Sequence, residues 1–105
     1  MSSVMDGFLN PRGVALFGSM KEEWFFGAGV VIKDLLDLKY QGRIYPVHPS
    51  AESVYGLKVR RDLSEVDGQV DLAVIITSYR QAPGILKLCG QKGIRNAVVV
   101  SDGFG

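Results

Sequence analysis

Gly13-Val14-Ala15-Leu16-Phe17-Gly18-Ser19 is the stretch on which the fold turns. A short, unbroken apolar run is how a strand buried on both faces reads, and such strands belong to parallel sheets. The glycine and serine that end it let the chain turn and bring its backbone close to a ligand. Working outward toward the amino end, Met1 to Pro11 has no periodicity and reads as a lead-in, with Phe8 and Leu9 apolar enough to pack at the domain edge. In the other direction, Val31, Leu35 and Leu38 recur at helical steps between Ala28 and Leu38, with Ile32 and Leu36 beside them, while Lys33, Asp34 and Asp37 fall elsewhere. That spacing predicts an amphipathic helix.

Gly42 breaks the helix, and Arg43-Ile44-Tyr45-Pro46-Val47 predicts a second strand that Pro49 stops. A third, weaker strand is expected at Leu57-Lys58-Val59, then one helical turn over Ser64-Glu65-Val66-Asp67 capped by Asp62 or Ser64. Val70 to Ile76 is the most hydrophobic strand of the chain. Ser78 and Pro83 open a second helix with Ile85, Leu86, Leu88 and Cys89 facing inward, and Gly90-Gln91-Lys92-Gly93 closes it. Asn96 to Val100 is the fifth strand. This alternation predicts an α/β fold: a Rossmann-like, doubly wound parallel sheet of five strands in the order 3-2-1-4-5, with helices on both faces in a three-layer sandwich. The fifth strand runs into Ser101-Asp102-Gly103-Phe104-Gly105 without another helix, so residues 1–105 are expected to be a single domain belonging to a longer multidomain chain.

Composition narrows the function classes. The 105 residues suffice for one core, and 47% apolar with 22% charged residues is the mixture of a soluble globular domain. Twelve Lys and Arg against eleven Asp and Glu leave a formal charge of +1, with no basic run, so a nucleic acid is not an expected partner. The longest apolar stretches, such as Leu72 to Ile76, fall far short of the ~20 residues a bilayer demands, so no membrane insertion is expected. The single Cys89 cannot form an internal disulfide and the amino end lacks a secretion signal, which together point to the cytoplasm.

In a doubly wound sheet, ligands lie beyond the carboxyl ends of the strands where the winding direction reverses. The loops there are Gly18-Ser19-Met20, His48-Pro49-Ser50, Thr77-Ser78-Tyr79 and Ser101-Asp102-Gly103-Phe104. Small residues and free amides at a helix start suit an anion, which makes Gly18, Ser19 and Gly29 the phosphate candidates. Taken singly, a glycine-serine pair after a strand is as often only a turn. A nicotinamide dinucleotide fits poorly: its G-x-G-x-x-G fingerprint is absent, since the next glycine after Gly18 is Gly27. It also wants an acidic residue at the end of strand two, where Pro46-Val47-His48-Pro49 is better suited to clamp an adenine ring.

Other conspicuous residues are weighed the same way. His48 has no Cys, Asp or second His at ligand spacing, so stacking or hydrogen bonding at a pocket rim is expected rather than metal ligation or nucleophilic attack. Cys89, on the inward side of its helix, reads as a buried, inert thiol, and Lys33, Lys87 and Lys92 as solvated helix faces. Glu22-Glu23-Trp24-Phe25-Phe26 places three aromatics in a loop, where they could fold over a ligand, pack on a neighbouring domain or cap the core.

Five motifs in order resemble a known family: Val14-Ala15-Leu16-Phe17-Gly18-Ser19, Gly42-Arg43-Ile44-Tyr45-Pro46-Val47-His48-Pro49, Val70-Asp71-Leu72-Ala73-Val74-Ile75-Ile76, Cys89-Gly90-Gln91-Lys92-Gly93 and Val98-Val99-Val100-Ser101-Asp102-Gly103-Phe104. They resemble the CoA-binding domain of the NDP-forming acyl-CoA synthetases, the superfamily of ADP-forming acetyl-CoA synthetase and the succinyl-CoA ligase α subunit. The resemblance covers nearly all of the chain, from about Asn10 onward. It implies coenzyme A as the cofactor, with Gly18, Ser19 and Met20 near its phosphates and ribose, and Val47, His48 and Pro49 around its adenine. Ile76 and Thr77 would follow the pantetheine arm, and Ser101 and Asp102 would lie toward the thiol. Two positions depart from the family pattern: His48 stands where asparagine is usual, and Ser50 where a lysine commonly follows the proline.

In that family the phosphate-carrying histidine lies in a later domain. The resemblance therefore implies a fragment that is not catalytic alone, in an acid-thiol ligase converting acyl-CoA, ADP and phosphate to acid, CoA and ATP. Its partners would be the ligase's other domains or subunits. The alternative is a CoA- or nucleotide-sensing regulatory domain attached to another enzyme such as an acetyltransferase, since related domains occur there; a small stand-alone CoA-binding protein is a third.

Overall fold

A computed structural model describes the backbone of residues 11–102 and the side chains up to Val100. Phe8, Leu9, Gly103 and Phe104 lie outside the described residues, as do the side chains of Ser101 and Asp102. Strand β1 (Gly13–Gly18) is buried along all but its last residue. Its side chains alternate between faces as a pleated strand requires: Ala15 and Phe17 enter one core with Tyr45, Val47, Ala73 and Ile75, while Val14 and Leu16 enter the other with Met20, Ala28 and Ile32. Two covered faces account for the unbroken apolar run.

β1 lies between β2 (Arg43–Val47) and β5 (Leu72–Ser78), and β6 (Asn96–Asp102) completes a parallel sheet in the order β2-β1-β5-β6. Phe17 stands opposite Val47 on one side and Ile75 on the other. The weak third strand differs from its expected form. Leu57 and Lys58 make β4 (Leu57–Lys58), which pairs antiparallel with β3 (Ser53–Val54) in a separate two-stranded hairpin. Its turn residues Tyr55 and Gly56 both have positive φ, 47° and 80°, the backbone whose twist matches two right-twisted strands. The chain then touches the main sheet at a single parallel bridge, Arg60 beside Val47. The Arg60 amide donates to the Pro46 carbonyl and the His48 amide to the Arg60 carbonyl, both at 2.8 Å. The outermost place in the 3-2-1-4-5 order is thus held by one bridged residue.

Helix α1 (Ala28–Asp37) covers the Val14 face, with Ile32 fully buried and Val31 and Leu35 packed beside it. Leu36 is 39% exposed and Leu38, which caps the helix from outside, 80%; neither faces inward as the spacing predicts. Helix α2 (Ala82–Lys92) covers the Phe17 face through Ala82, Ile85 and Cys89, and Gly93 ends it in the left-handed conformation at φ 93°. Leu86 and Leu88, also expected inward, are exposed: each stands one residue, 100° around the helix, from the inward Ile85 or Cys89. Lys92 is not simply solvated: its Nζ donates to the Val66 carbonyl at 2.9 Å, tying α2 to the segment after the 3-10 turn (Leu63–Glu65). Lys33 is exposed and paired with Asp37 at 2.8 Å. Asp62 caps the 3-10 turn as expected. No described helix is long and apolar enough to cross a membrane. With α1 on one face and α2 on the other, the winding reverses at the carboxyl end of β1.

Candidate functional site

At that reversal a crevice of about 920 Å³ opens. Its walls come from the ends of β1, β2 and β5, the segment from Arg61 to Leu63, and the first two turns of α2. Gly18 and Ser19 form one end. Gly18 holds φ 141°, and a Cβ on it would lie 2.3 Å from the Ile76 carbonyl oxygen, so only glycine lets β1 leave the sheet here. The loop then folds back on itself: the Gly29 amide donates to the Ser19 carbonyl at 2.9 Å, and a Cβ on Gly29 would lie 2.7 Å from the Lys21 carbonyl oxygen. Gly27, the N-cap of α1, offers no capping side chain, and the first turn holds no acidic residue; the Gly29 amide is taken by the Ser19 carbonyl and the Val30 amide donates to the Gly27 carbonyl at 3.2 Å.

The second wall is the turn after β2. His48 Nδ1 accepts from the amides of Ser50 at 3.1 Å and Ala51 at 3.0 Å, the work of an asparagine oxygen in an Asx turn. With Nδ1 accepting, the neutral ring carries its hydrogen on Nε2. Val47, 5% exposed, floors the crevice and Pro49 stands exposed at its edge. Across from them, Ile76 is buried and Thr77 half-buried, and the Thr77 hydroxyl donates to the Ser78 carbonyl at 3.3 Å.

Seven of the residues expected to bind line the crevice together: Gly18, Ser19, Val47, His48, Pro49, Ile76 and Thr77. Met20 and Gly29 do not. Met20 is 7% exposed and turned into the Val14 core, and Gly29 sits behind Ser19 with its amide already engaged. Ser101 and Asp102 end β6 in register with Thr77 and Ser78, but their side chains lie outside the described residues. The aromatics Trp24, Phe25 and Phe26 do not cap the core, being 44%, 80% and 49% exposed, and they do not line the crevice. Their loop is latched to the hairpin: Glu22 Oε2 accepts from the Tyr55 amide at 2.7 Å, and the Tyr55 hydroxyl accepts from the Glu23 amide at 2.6 Å. Lys21 Nζ sits 3.7 Å from the Trp24 ring centroid. Burial pushes the Cys89 thiol pKa up, which keeps it protonated and unreactive.

Sequence reasoning missed Arg61, Asp62 and Arg80 in the crevice lining. Their signal was adjacency, Arg61 following the weak third strand and Arg80 the Thr77-Ser78-Tyr79 loop. Asp62 Oδ1 accepts from the Ser64 hydroxyl and from the Ser64 amide at 2.8 Å, which hold its carboxyl pKa below the ordinary value.

A parallel sheet with a glycine-built loop after its first strand, and an apolar slot beside it, places the chain in the Rossmann-like class without the dinucleotide fingerprint. The family model described as a CoA binding domain matches residues 12–104, and the chain belongs to that family. The chain is 37% identical over 103 residues to the alpha subunit of ADP-forming acetate–CoA ligase II of Pyrococcus furiosus, covering 97% of this chain and 22% of the relative. It is 35% identical over 94 residues to the ADP-forming acetate–CoA ligase of Methanocaldococcus jannaschii, covering 90% of this chain and 13% of that one. Among solved structures, the apo form of the dinucleotide-forming acetyl-coenzyme A synthetase 1 of Ca. Korarchaeum cryptofilum superposes with a TM-score of 0.86 at 32% identity, over 95% of this chain and 22% of that one. The chain thus spans between 13% and 22% of the length of these relatives.

Proposed function

We propose that the chain holds coenzyme A in this crevice and serves as the CoA-binding part of an NDP-forming acyl-CoA synthetase of the cytoplasm. The observation that carries this reading is the shape and chemistry of the crevice. A backbone-walled anion loop at Gly18 and Ser19 meets an apolar slot floored by Val47, Leu63 and Ile85, with Thr77 offering a hydroxyl along the way. A ligand that is diphosphate at one point, aromatic at another and a mixed amide-alkyl arm elsewhere fits such a lining. The parent reaction would interconvert acyl-CoA, ADP and phosphate with acid, CoA and ATP, and this domain's share of it is binding and orientation. No phosphate-carrying role falls to His48 in this reading: its Nδ1 accepts from two backbone amides and shapes the turn at the crevice rim. The partners of the domain are the remaining domains or subunits of the ligase.

Equilibrium titration of the 105-residue chain with CoA and with NAD tests the reading. CoA is expected to bind more tightly; a preference for NAD would overturn the assignment.

A further inference from the structure

Resting on the CoA reading, we propose that Arg61 and Arg80 together hold the 3′-phosphate of coenzyme A and set the preference for CoA over its dephospho form. The anion loop at Gly18 and Ser19 is built from backbone and small side chains, a surface for a diphosphate that the ligand presents beside its main chain. The 3′-phosphate carries a further, compact double charge on the ribose, and such a group calls for side-chain cations.

Arg61 and Arg80 are the cations lining the crevice. The backbone places each of them. Arg60, the residue before Arg61, is bonded on both sides to the end of β2, so Arg61 emerges beside His48 at the slot proposed for adenine. Arg80 emerges opposite, between the end of β5 and the start of α2, where the Gln81 amide closes a turn onto the Ser78 carbonyl at 3.0 Å. Neither guanidinium is paired with a carboxylate among the described residues, whose one salt bridge joins Lys33 to Asp37. Arg80 has only a long contact from Nε to the Tyr79 hydroxyl at 3.4 Å and a loose approach to that ring at 5.8 Å. Asp62, the carboxylate of the lining, turns Oδ1 to Ser64. Two guanidiniums against one carboxylate leave the lining net positive. Ser50, next to Pro49, adds no charge. Planar guanidiniums match phosphate oxygens in pairs, which a single point charge does not.

The test is a titration of the 105-residue chain and of its Arg61→Gln/Arg80→Gln double variant with CoA and with dephospho-CoA. The unaltered chain is expected to bind CoA about tenfold or more tightly than dephospho-CoA, as hydrogen bonds to charged groups imply. The double variant should lose that preference while keeping its dephospho-CoA affinity, which also reports that its fold is intact. If both ligands weaken equally, the arginines serve the diphosphate or the fold and the proposal fails; if the preference survives, it fails as well. An unaltered chain that binds neither ligand would instead overturn the CoA reading itself.

Discussion

At Gly18 the whole site depends on the absence of a side chain. Its φ of 141° and the 2.3 Å that would separate a Cβ from the Ile76 carbonyl oxygen mean that Gly18→Ala must distort either β1 or β5. We expect a loss of about 1–3 kcal/mol in urea denaturation, the range for forcing a side chain into such a backbone, with weakened CoA binding in the same samples. His48 offers the opposite kind of prediction. Its ring works as a hydrogen-bond acceptor for the amides of Ser50 and Ala51, so His48→Asn should remain within about 0.5 kcal/mol of the parent, whereas His48→Ala should cost about 1 kcal/mol, the worth of a lost cap. Equal destabilisation by both substitutions, measured by denaturant midpoint, would show that the ring's packing matters more than its nitrogen.

Gly93 closes α2 in the left-handed conformation with open space where a Cβ would stand. Gly93→Ala should therefore cost about 1 kcal/mol from backbone conformation alone, read as a lowered denaturation midpoint with unchanged slope. This stop was legible in the sequence, as were β1, β2, β5, β6 and both helices, because buried parallel strands and a helix stripe write themselves as apolar runs and three-to-four spacing. The β3-β4 hairpin was not. Each strand has two residues, too few to show alternation, although Tyr55-Gly56 between Val54 and Leu57 carried a turn signal. Leu36, Leu86 and Leu88 were misplaced because each stripe is narrower than the hydrophobic composition of its helix. The site followed the same division. Strand ends and the loops after them announced Gly18, Ser19, Val47, His48, Pro49 and Thr77, and the family resemblance implied Ile76, whereas Arg61 and Arg80 reach the crevice only through tertiary placement. The family resemblance implied Met20 near the phosphates, yet it turns into the core.

Across the whole molecule, a ligand in the crevice would touch three strand ends and α2 at once, so its binding energy should be felt by the entire cooperative unit. At a hundredfold excess over its dissociation constant, CoA is expected to add about 2.7 kcal/mol of stability. For a domain of this size that corresponds to a rise in Tm of roughly 10 °C or more, checked by scanning calorimetry, and no shift at saturating CoA would contradict the proposed function. The tie between Glu22, Glu23 and Tyr55 has its own consequence at this scale. It stitches the base of an aromatic promontory to a hairpin far along the chain, and both Glu23 and Tyr55 stand at positive φ where the two meet. The conformational freedom of that base is therefore surrendered during folding, and whatever surface comes to rest on Trp24, Phe25 and Phe26 meets a prow whose footing is already set.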